Sequence, residues 1–403
     1  MAHAITWERE ASNVGASRSP LTRWFARRRQ DNLDADRASS LVRRFLAGVA
    51  GVGLARDTQS CAGLPGLSTP RITHVTLGAN SDRLVLELLP GQLMEEYEEK
   101  AGQLAEAVGA AHLRFRRITH GFLAIELLHE DPLKIQLRPE PGPELLFGLL
   151  DSGRRLTGDL ASMAHMIVQG RTRSGKSRFC YGLLVQLVER PDVLICGSDV
   201  TGLVLRPFKN TRHEDLQALG STDIHQHLMT LQRLAAIMDE RIAKIPEDSD
   251  VFPCSTSDPY LYVVLEELPG LLRLAAHQDG KKNGPLYTAI KSTFGRLVTE
   301  GAKAGVRLLL ISQRADADII GGFERGQAPW RISFSVDSKD AVRMLHPSAS
   351  DELVEAHLTA LPSYALASTP GLPCARLRAP HMGAYTDYHS AIAEHRSEPE
   401  PDQ

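Results

Sequence analysis

Met166-Ile-Val-Gln169 runs directly into Gly170-Arg171-Thr172-Arg173-Ser174-Gly175-Lys176-Ser177, a short apolar run followed by the pattern G-x-x-x-x-G-K-[ST]. A buried strand that opens into a glycine-bounded loop turns successive backbone N–H groups inward around a phosphate chain. Lys176 then reaches the β- and γ-phosphates, and the Ser177 hydroxyl stands where it can ligate Mg²⁺. The segment from Phe179 to Val188 is apolar nearly all round, which predicts a helix buried against a sheet with its N-terminus facing the anion. A phosphate-bearing ligand, a nucleoside triphosphate such as ATP with Mg²⁺, follows from the whole of 170–177.

Outward from this loop, buried-type strands at 166–169, 192–197, 261–265, 306–312 and 331–336 alternate with helical stretches. That recurrence predicts an α/β domain with a mainly parallel sheet covered on both faces. Ligands on such sheets lie beyond the carboxyl ends of the strands. Two of the strands end in polar groups there. Leu261-Tyr-Val-Val-Leu265 runs into Glu266-Glu267, and Val306-Arg-Leu-Leu-Leu-Ile-Ser312 runs into Gln313. Paired acids on a buried strand cost desolvation unless a cation or a reaction accounts for them. Glu266 is assigned to the Mg²⁺ shell, through water, and Glu267 to orienting the attacking water as general base. Gln313 is placed to hydrogen-bond the γ-phosphate or the lytic water.

The rest of the chain divides by composition. Residues 1–70 read as a basic, largely irregular arm with Arg18, Arg23, Arg27, Arg28, Arg29, Arg37, Arg43 and Arg44 around Trp24-Phe25, either a solvated arm or a contact for DNA phosphates or lipid. Residues 71–132 read as a small α+β domain. It has a strand at Leu84–Leu89, a helix from Pro90-Gly91 carrying Leu93, Tyr97, Ala101, Leu104, Ala107 and Val108, and strands at 112–118 and 121–128. A proline-bearing linker over 133–150 leads to the motor domain at 151–389, and the charged segment 390–403 reads as a disordered tail. The net charge of −3 excludes a globally basic nucleic-acid binder, so any DNA contact is local. No apolar window approaches a membrane span. Cys61, Cys180, Cys196, Cys254 and Cys374 form no C-x-x-C pair, and Cys180 and Cys196 read as core residues, which together suggest a reduced, cytoplasmic setting. His165, before the loop strand, reads as a structural contact, and Trp24 and Trp330 lack neighbours in sequence that would make a stacking platform.

Taken together, Asp159 to Ser177, Val263-Val-Leu-Glu-Glu267, Gly305 to Arg314 and Arg331 to Lys339 resemble the motor domain of the FtsK/SpoIIIE family of double-stranded DNA translocases. Glu266-Glu-Leu-Pro-Gly-Leu-Leu272 and Gln313-Arg-Ala-Asp-Ala-Asp-Ile-Ile-Gly-Gly322 are similar to the FtsK-like transfer proteins of actinomycete conjugative plasmids and integrative elements. The module at 71–132 resembles the small domain that precedes the family's motor, so the resemblance covers about 71–385. It implies a RecA-like P-loop motor, ATP hydrolysis, and a ring, usually hexameric, that pumps duplex DNA without reading sequence.

The sequence departs from the family at two places. Glu266 stands where the family has Asp, and its extra methylene moves the carboxylate outward. Fixed-length alignment of 296–305 puts Ala302 where hexameric relatives place an arginine finger. Lys303 first and Arg331 second are the cations expected to act in trans, with Arg307 and Arg325 as further candidates. Arg273, Lys281 and Lys282, in the glycine-bearing stretch after the paired acids, resemble the family's pore loops and are the expected phosphate contacts. No membrane-spanning N-terminal stretch and no room for a C-terminal winged helix are expected, which leaves a peripheral contact through the basic arm or a separate membrane partner as the routes to a membrane. Two other readings stay open on these motifs: an FtsK-like ATPase that moves protein, and a nucleotide-gated assembly protein that does not hydrolyse.

Overall fold

The computed structural model describes residues 6–9, 20–59, 65–78, 81–314 and 320–396. They belong to two compact units that divide between Lys134 and Ile135.

The first unit contains β1 (Thr6–Arg9), α1 (Pro20–Gly51), the two-stranded ribbon β2 (Arg56–Gln59) and β3 (Pro65–Ser68), then β4 (Arg71–Leu77) and β5 (Ser81–Glu87). Helices α2 (Met94–Glu99) and α3 (Ala101–Val108) and strands β6 (His112–Thr119) and β7 (Phe122–Leu128) complete it. The sheet order is β1-β4-β5-β7-β6, with β1 parallel to β4 and the other pairs antiparallel. Alternation along β5 buries Asp82, Leu84 and Leu86, the period-two pattern of a strand with one covered face.

The arm expected to be irregular through residue 70 is mostly one helix. Ala38, Leu41, Val42, Phe45 and Val49 recur at helical spacing and are buried in the same core as Leu84, Leu104 and Ile125. Helix α1 approaches α3 so closely that a Cβ on Gly48 would lie 2.8 Å from the Cβ of Ala107. Arg37 donates to both oxygens of the buried Asp82, at 2.8 and 2.9 Å, so an arginine of the arm is a tether of the module. Arg18 lies outside the described residues. The helix expected from Pro90 starts at Met94 and is divided at Lys100, and the strand at 71–77 was not anticipated.

The second unit is built on a sheet that, among the described residues, has ten strands. They are β8 (Leu145–Leu150), β9 (Arg155–Gly158), β10 (Met166–Gln169), β11 (Val193–Asp199), β12 (Gln217–Leu219), β13 (Tyr260–Glu266), β14 (Val306–Ser312), β15 (Trp330–Phe334), β16 (Tyr364–Thr369) and β17 (Leu372–Arg378). The order β12-β11-β13-β14-β10-β15 is parallel throughout, and β16-β17-β8-β9 continues it antiparallel. Helices α4 (Lys176–Val188), α5 (Ile224–Ala243), α6 (Leu268–Gln278), α7 (Pro285–Glu300), α8 (Gly322–Gln327), α9 (Lys339–Leu345), α10 (Asp351–Leu358) and α11 (Tyr385–Ala393) complete the unit. The central strands are buried along their length and feed two cores. Val168, Tyr262, Val264, Leu309 and Ile311 face α4 and α11, whereas Ile167, Leu261, Val263, Leu308 and Leu310 face α5, α6 and α7. Cys180 and Cys196 fall in these two cores, and Cys61 lies outside the described residues.

Three expectations need correction here. The linker assigned to 133–150 contains β8, whose six residues are all buried. The buried Gln186 of α4 holds it, accepting from the Leu146 N–H at 2.7 Å and donating to its carbonyl at 3.1 Å. The tail expected from 390 overlaps α11, where Tyr388 and Ile392 are fully buried and Tyr388 donates to the Val204 carbonyl. Residues 397–403 lie outside the described residues. Trp330 does have an aromatic neighbour, Phe147, with ring centroids 5.0 Å apart, but it is buried as a core anchor. Among the described residues no helix is long and apolar enough to cross a membrane.

Candidate active site

Strand β10 delivers the chain to the loop 170–175 at the carboxyl edge of the parallel sheet, and α4 begins at Lys176. Two glycines are required by contact as well as by conformation. Gly170 has φ 157° and a Cβ there would meet Phe334 and Ser174 at 2.7 Å, and Gly175 has φ 106° with the Ser363 nitrogen 2.6 Å from its Cβ position. Between them Arg173 takes a left-handed φ of 67°, a strained choice for a side chain that turns neighbouring N–H groups into one concavity. The loop is tied to the sheet by Arg171 N–H donating to Ser335 O at 2.9 Å and to the far segment by Ser363 N–H donating to Ser174 O at 3.0 Å. Gly170 and Ser174 shape this turn, while Arg171, Thr172, Arg173, Gly175, Lys176 and Ser177 line a cavity of about 680 Å³.

The same cavity is lined by Glu266, Glu267 and Gln313, so the structure brings together the three polar strand ends singled out in the sequence. Glu266 closes β13. Glu267 adopts φ 54°, ψ 49° and caps α6, and its N–H still donates to Ile311 O at 2.8 Å. That left-handed residue makes the turn from strand to helix directly after Glu266, which brings both carboxylates to the cavity. Arg273, the expected DNA contact nearest the acids, points its guanidinium toward Glu267 at 3.7 Å, although most of it is in solvent. Glu266 is the more deprived of the two, because its buried Oε2 has no hydrogen-bond partner.

Sequence reasoning missed Asp199. It ends β11 in register with Glu266 and is fully buried. Its Oδ1 accepts from Thr201 N–H, Thr201 Oγ1 and Gly202 N–H, and its Oδ2 from Val204 and Leu205 N–H, at 2.7–3.1 Å. The signal was available: Ile195-Cys-Gly-Ser-Asp199 is a third buried strand that ends in an acid. Burial first, and then the charge of Asp199, push the Glu266 carboxyl up to about 7, against the opposing pull of Lys176. A buried, orphaned carboxyl oxygen beside the lysine of the G-x-x-x-x-G-K-[ST] loop fits a water-bridged divalent cation. Among the described residues no three His, Cys, Asp or Glu side chains gather into a metal cage, so such a cation would need phosphate oxygens to complete its shell.

His165 is a tie between strands and helix. Its Nδ1 accepts from Leu308 N–H at 3.1 Å, which leaves Nε2 as the donor to Val298 O at 2.9 Å, and burial lowers its pKa to about 4. Arg331 does not stand free to serve a neighbour. Its guanidinium donates to the carbonyls of Ala328, Leu345 and Arg325 at 2.8–3.1 Å, closing the turn before β15. Arg307 is likewise spent on Leu160, Ala161, Ala302 and Val306 carbonyls, and Arg325 on Ile320. Lys303 is exposed on the short turn 301–304, which uses only its backbone carbonyl, as acceptor for Phe252 N–H. Lys281 and Lys282 are exposed between α6 and α7 and do not line the cavity.

Residues 130–249, which include the loop, Asp199 and all of α5, match the model of the FtsK/SpoIIIE family. The chain carries an FtsK/SpoIIIE-family domain. It is 26% identical over 323 residues to the DNA translocase FtsK of Sporosarcina ureae, covering 70% of this chain and 39% of that protein. It is 24% identical over 294 residues to the DNA translocase SftA of Bacillus subtilis, covering 66% of this chain and 30% of that one. The chain thus spans well under half the length of these curated relatives. Among solved structures it is similar to the pCW3 conjugation coupling protein TcpA, in its monomer form with ATPγS, at TM-score 0.52 and 16% identity, over 90% of this chain and all of that one. The second unit therefore has a P-loop ATPase fold, with the mainly parallel sheet that the alternation of strands and helices predicted and the loop that the 170–177 pattern predicted.

The raised Glu266 pKa makes a stability prediction. With a folded value of about 7 against an ordinary 4.5, the folded chain binds more protons than the unfolded chain between those limits. The resulting stabilisation is full below about pH 4.5 and is lost as pH rises through about 7. In urea denaturation without nucleotide or Mg²⁺, Glu266→Gln should therefore gain stability relative to wild type as pH rises across that window. Parallel pH profiles would mean that Glu266 ionises as an ordinary carboxylate.

Proposed function

We propose that the protein is an ATP-driven translocase of double-stranded DNA that works as a ring, hexameric as in the family, on a conjugative plasmid or integrative element. The observation that carries this reading is the convergence of 170–177, Glu266, Glu267 and Gln313 on one cavity at the carboxyl edge of the sheet. The match to a DNA-translocase family supports duplex DNA as the cargo. The motifs at 266–272 and 313–322 support transfer of a mobile element, with residues 315–319 of the second lying outside the described residues.

In this reading Lys176 and the loop N–H groups hold the triphosphate, and the α4 N-terminus adds its dipole. Ser177 and Glu266 would hold Mg²⁺, which when bound supplies charge neutralisation on the phosphates. Glu267 orients a water and accepts its proton as that water attacks, and Gln313 hydrogen-bonds the γ-phosphate and so reports whether it is present. Lys176→Ala should abolish ATP binding, whereas Glu267→Gln should bind ATP normally and lose at least about 100-fold in turnover. Wild-type turnover in Glu267→Gln, measured by phosphate release, would remove the general-base assignment.

Lys281 and Lys282 suit contacts to a passing duplex, because point charges on flexible stems hold phosphates without reading bases. Duplex DNA should stimulate ATP turnover independently of sequence and less at higher salt. Changing both lysines to alanine should reduce the slope of log affinity against log salt by up to about 2. An unchanged slope takes these lysines off the DNA path, and an ATPase indifferent to duplex DNA supports protein cargo instead.

With Arg331, Arg307 and Arg325 committed to their own backbone, Lys303 is the cation proposed to reach a neighbouring subunit's phosphates. Fingers of this kind are worth about 10³–10⁵ in rate in other NTPases. A Lys176→Ala subunit mixed with a Lys303→Ala subunit should recover DNA-stimulated turnover that neither has alone. Recovery no greater than the sum of the two would show that Lys303 does not act across an interface.

A further inference from the structure

Beside the phosphate-loop residues, the cavity is also lined by groups that phosphates do not need. Tyr181 lies on α4 one helical turn past Ser177, and Tyr385 opens α11 from the far end of the unit. Both line the same cavity as Lys176, together with Leu203, Val204 and Pro362. A triphosphate gains nothing from this apolar company.

The aromatic groups are ordered by one another. Tyr181 stacks face to face on the buried Tyr388, with centroids 4.3 Å apart and planes 9° apart, so one of its faces is taken. Tyr388 is itself fixed by donation to the Val204 carbonyl at 2.5 Å, which ties α11 to the loop organised by Asp199. Tyr385 is only half-buried. It meets Tyr181 edge-on, with centroids 5.7 Å apart and planes at 66°, so the two rings present differently inclined aromatic surface. Arg206 holds Tyr385 from a position that does not line the cavity, with its guanidinium carbon 5.9 Å from the ring centroid and an N–H donated to the hydroxyl at 3.4 Å. A half-exposed ring braced from outside, next to a phosphate loop, is a seat for a flat heterocycle.

We propose that Tyr385, with Tyr181 at its edge, is the platform on which the purine base of the bound nucleoside triphosphate stacks. The inference rests on the nucleotide reading of this cavity and adds the base subsite to it. It gives α11 a role in ligand affinity, and it predicts a platform tolerant of base identity, because every purine presents a flat face.

The test compares ATP with Mg²⁺-tripolyphosphate by calorimetric titration of the full chain, since tripolyphosphate engages the loop without a base. Wild type should bind ATP more tightly than tripolyphosphate, and Lys176→Ala should lose both. Tyr385→Ala should weaken ATP binding about tenfold or more, as expected for a lost base–aromatic stack, and leave tripolyphosphate binding unchanged. Tyr385→Phe, which keeps the ring and loses the hydroxyl, should retain wild-type ATP affinity. Equal weakening of ATP and tripolyphosphate in Tyr385→Ala would show that the residue only props the loop, and would overturn the platform. A Phe variant as weak as the Ala variant would overturn it too, by assigning the effect to the hydroxyl. Wild type that binds tripolyphosphate as tightly as ATP would remove the base subsite while leaving the phosphate site intact. Wild type that binds neither would overturn the nucleotide reading and the platform together.

Discussion

Two carboxylates, Asp199 and Glu266, end neighbouring parallel strands in register beside Lys176, and burying that much like charge is the constraint around which the second unit is arranged. The chain resolves it asymmetrically. Asp199 is given five donors from residues 201–205, so its charge is spread over backbone N–H groups and the following loop is drawn tight. Glu266 is left with an orphaned oxygen and a pKa near 7, and a cation or the proton itself must make up the difference. One acid thereby becomes a fastener and the other is left unsatisfied.

The cavity depends on contacts between segments distant in sequence. Ser363 closes on the Gly175 position, Ser335 receives the Arg171 N–H, and the tyrosines of α11 meet α4 and the 200–205 loop. Gly170 and Gly175 are needed because neighbouring chain passes where a Cβ would sit, not only because of their backbone angles. The antiparallel strands β16, β17, β8 and β9 extend the sheet beyond β15. They bring the 360–363 segment back to the loop, and the helix that carries Tyr385 follows β17 directly.

Cations divide in the same way between structure and availability. Arg331, Arg307 and Arg37 each satisfy carbonyls or a buried acid, as suits a planar guanidinium with several fixed donors. Lys281, Lys282 and Lys303 remain exposed on loops and turns. Arg331 and Lys303 were both candidates in the sequence, and packing surrounds the first with the carbonyls of Ala328, Leu345 and Arg325 while leaving the second exposed.

Much of the motor was legible in the chain. The 170–177 pattern, the strand-to-acid transition at 265–267 and the apolar run ending at Gln313 are local signals, because a buried strand followed by a charge has few physical explanations. Periodicity likewise placed the parallel strands, since burial on both faces demands continuous apolar runs. Other features were hidden because their meaning is set at a distance. Leu145–Leu150 resembles a linker until Gln186 and β17 pair with it, the arginine-rich arm conceals a helix whose Phe45 and Val49 need the first unit's sheet to bury them, and the part played by Asp199 shows only when four N–H groups and a hydroxyl converge on it. The sequence by itself determined that this protein has a phosphate loop on a parallel sheet with acids at the strand ends, because those signals are carried by consecutive residues. Only the tertiary structure decided which acid is satisfied, which arginines are spent and that Tyr385 lines the same cavity as the phosphate loop, because each depends on the partner that packing supplies.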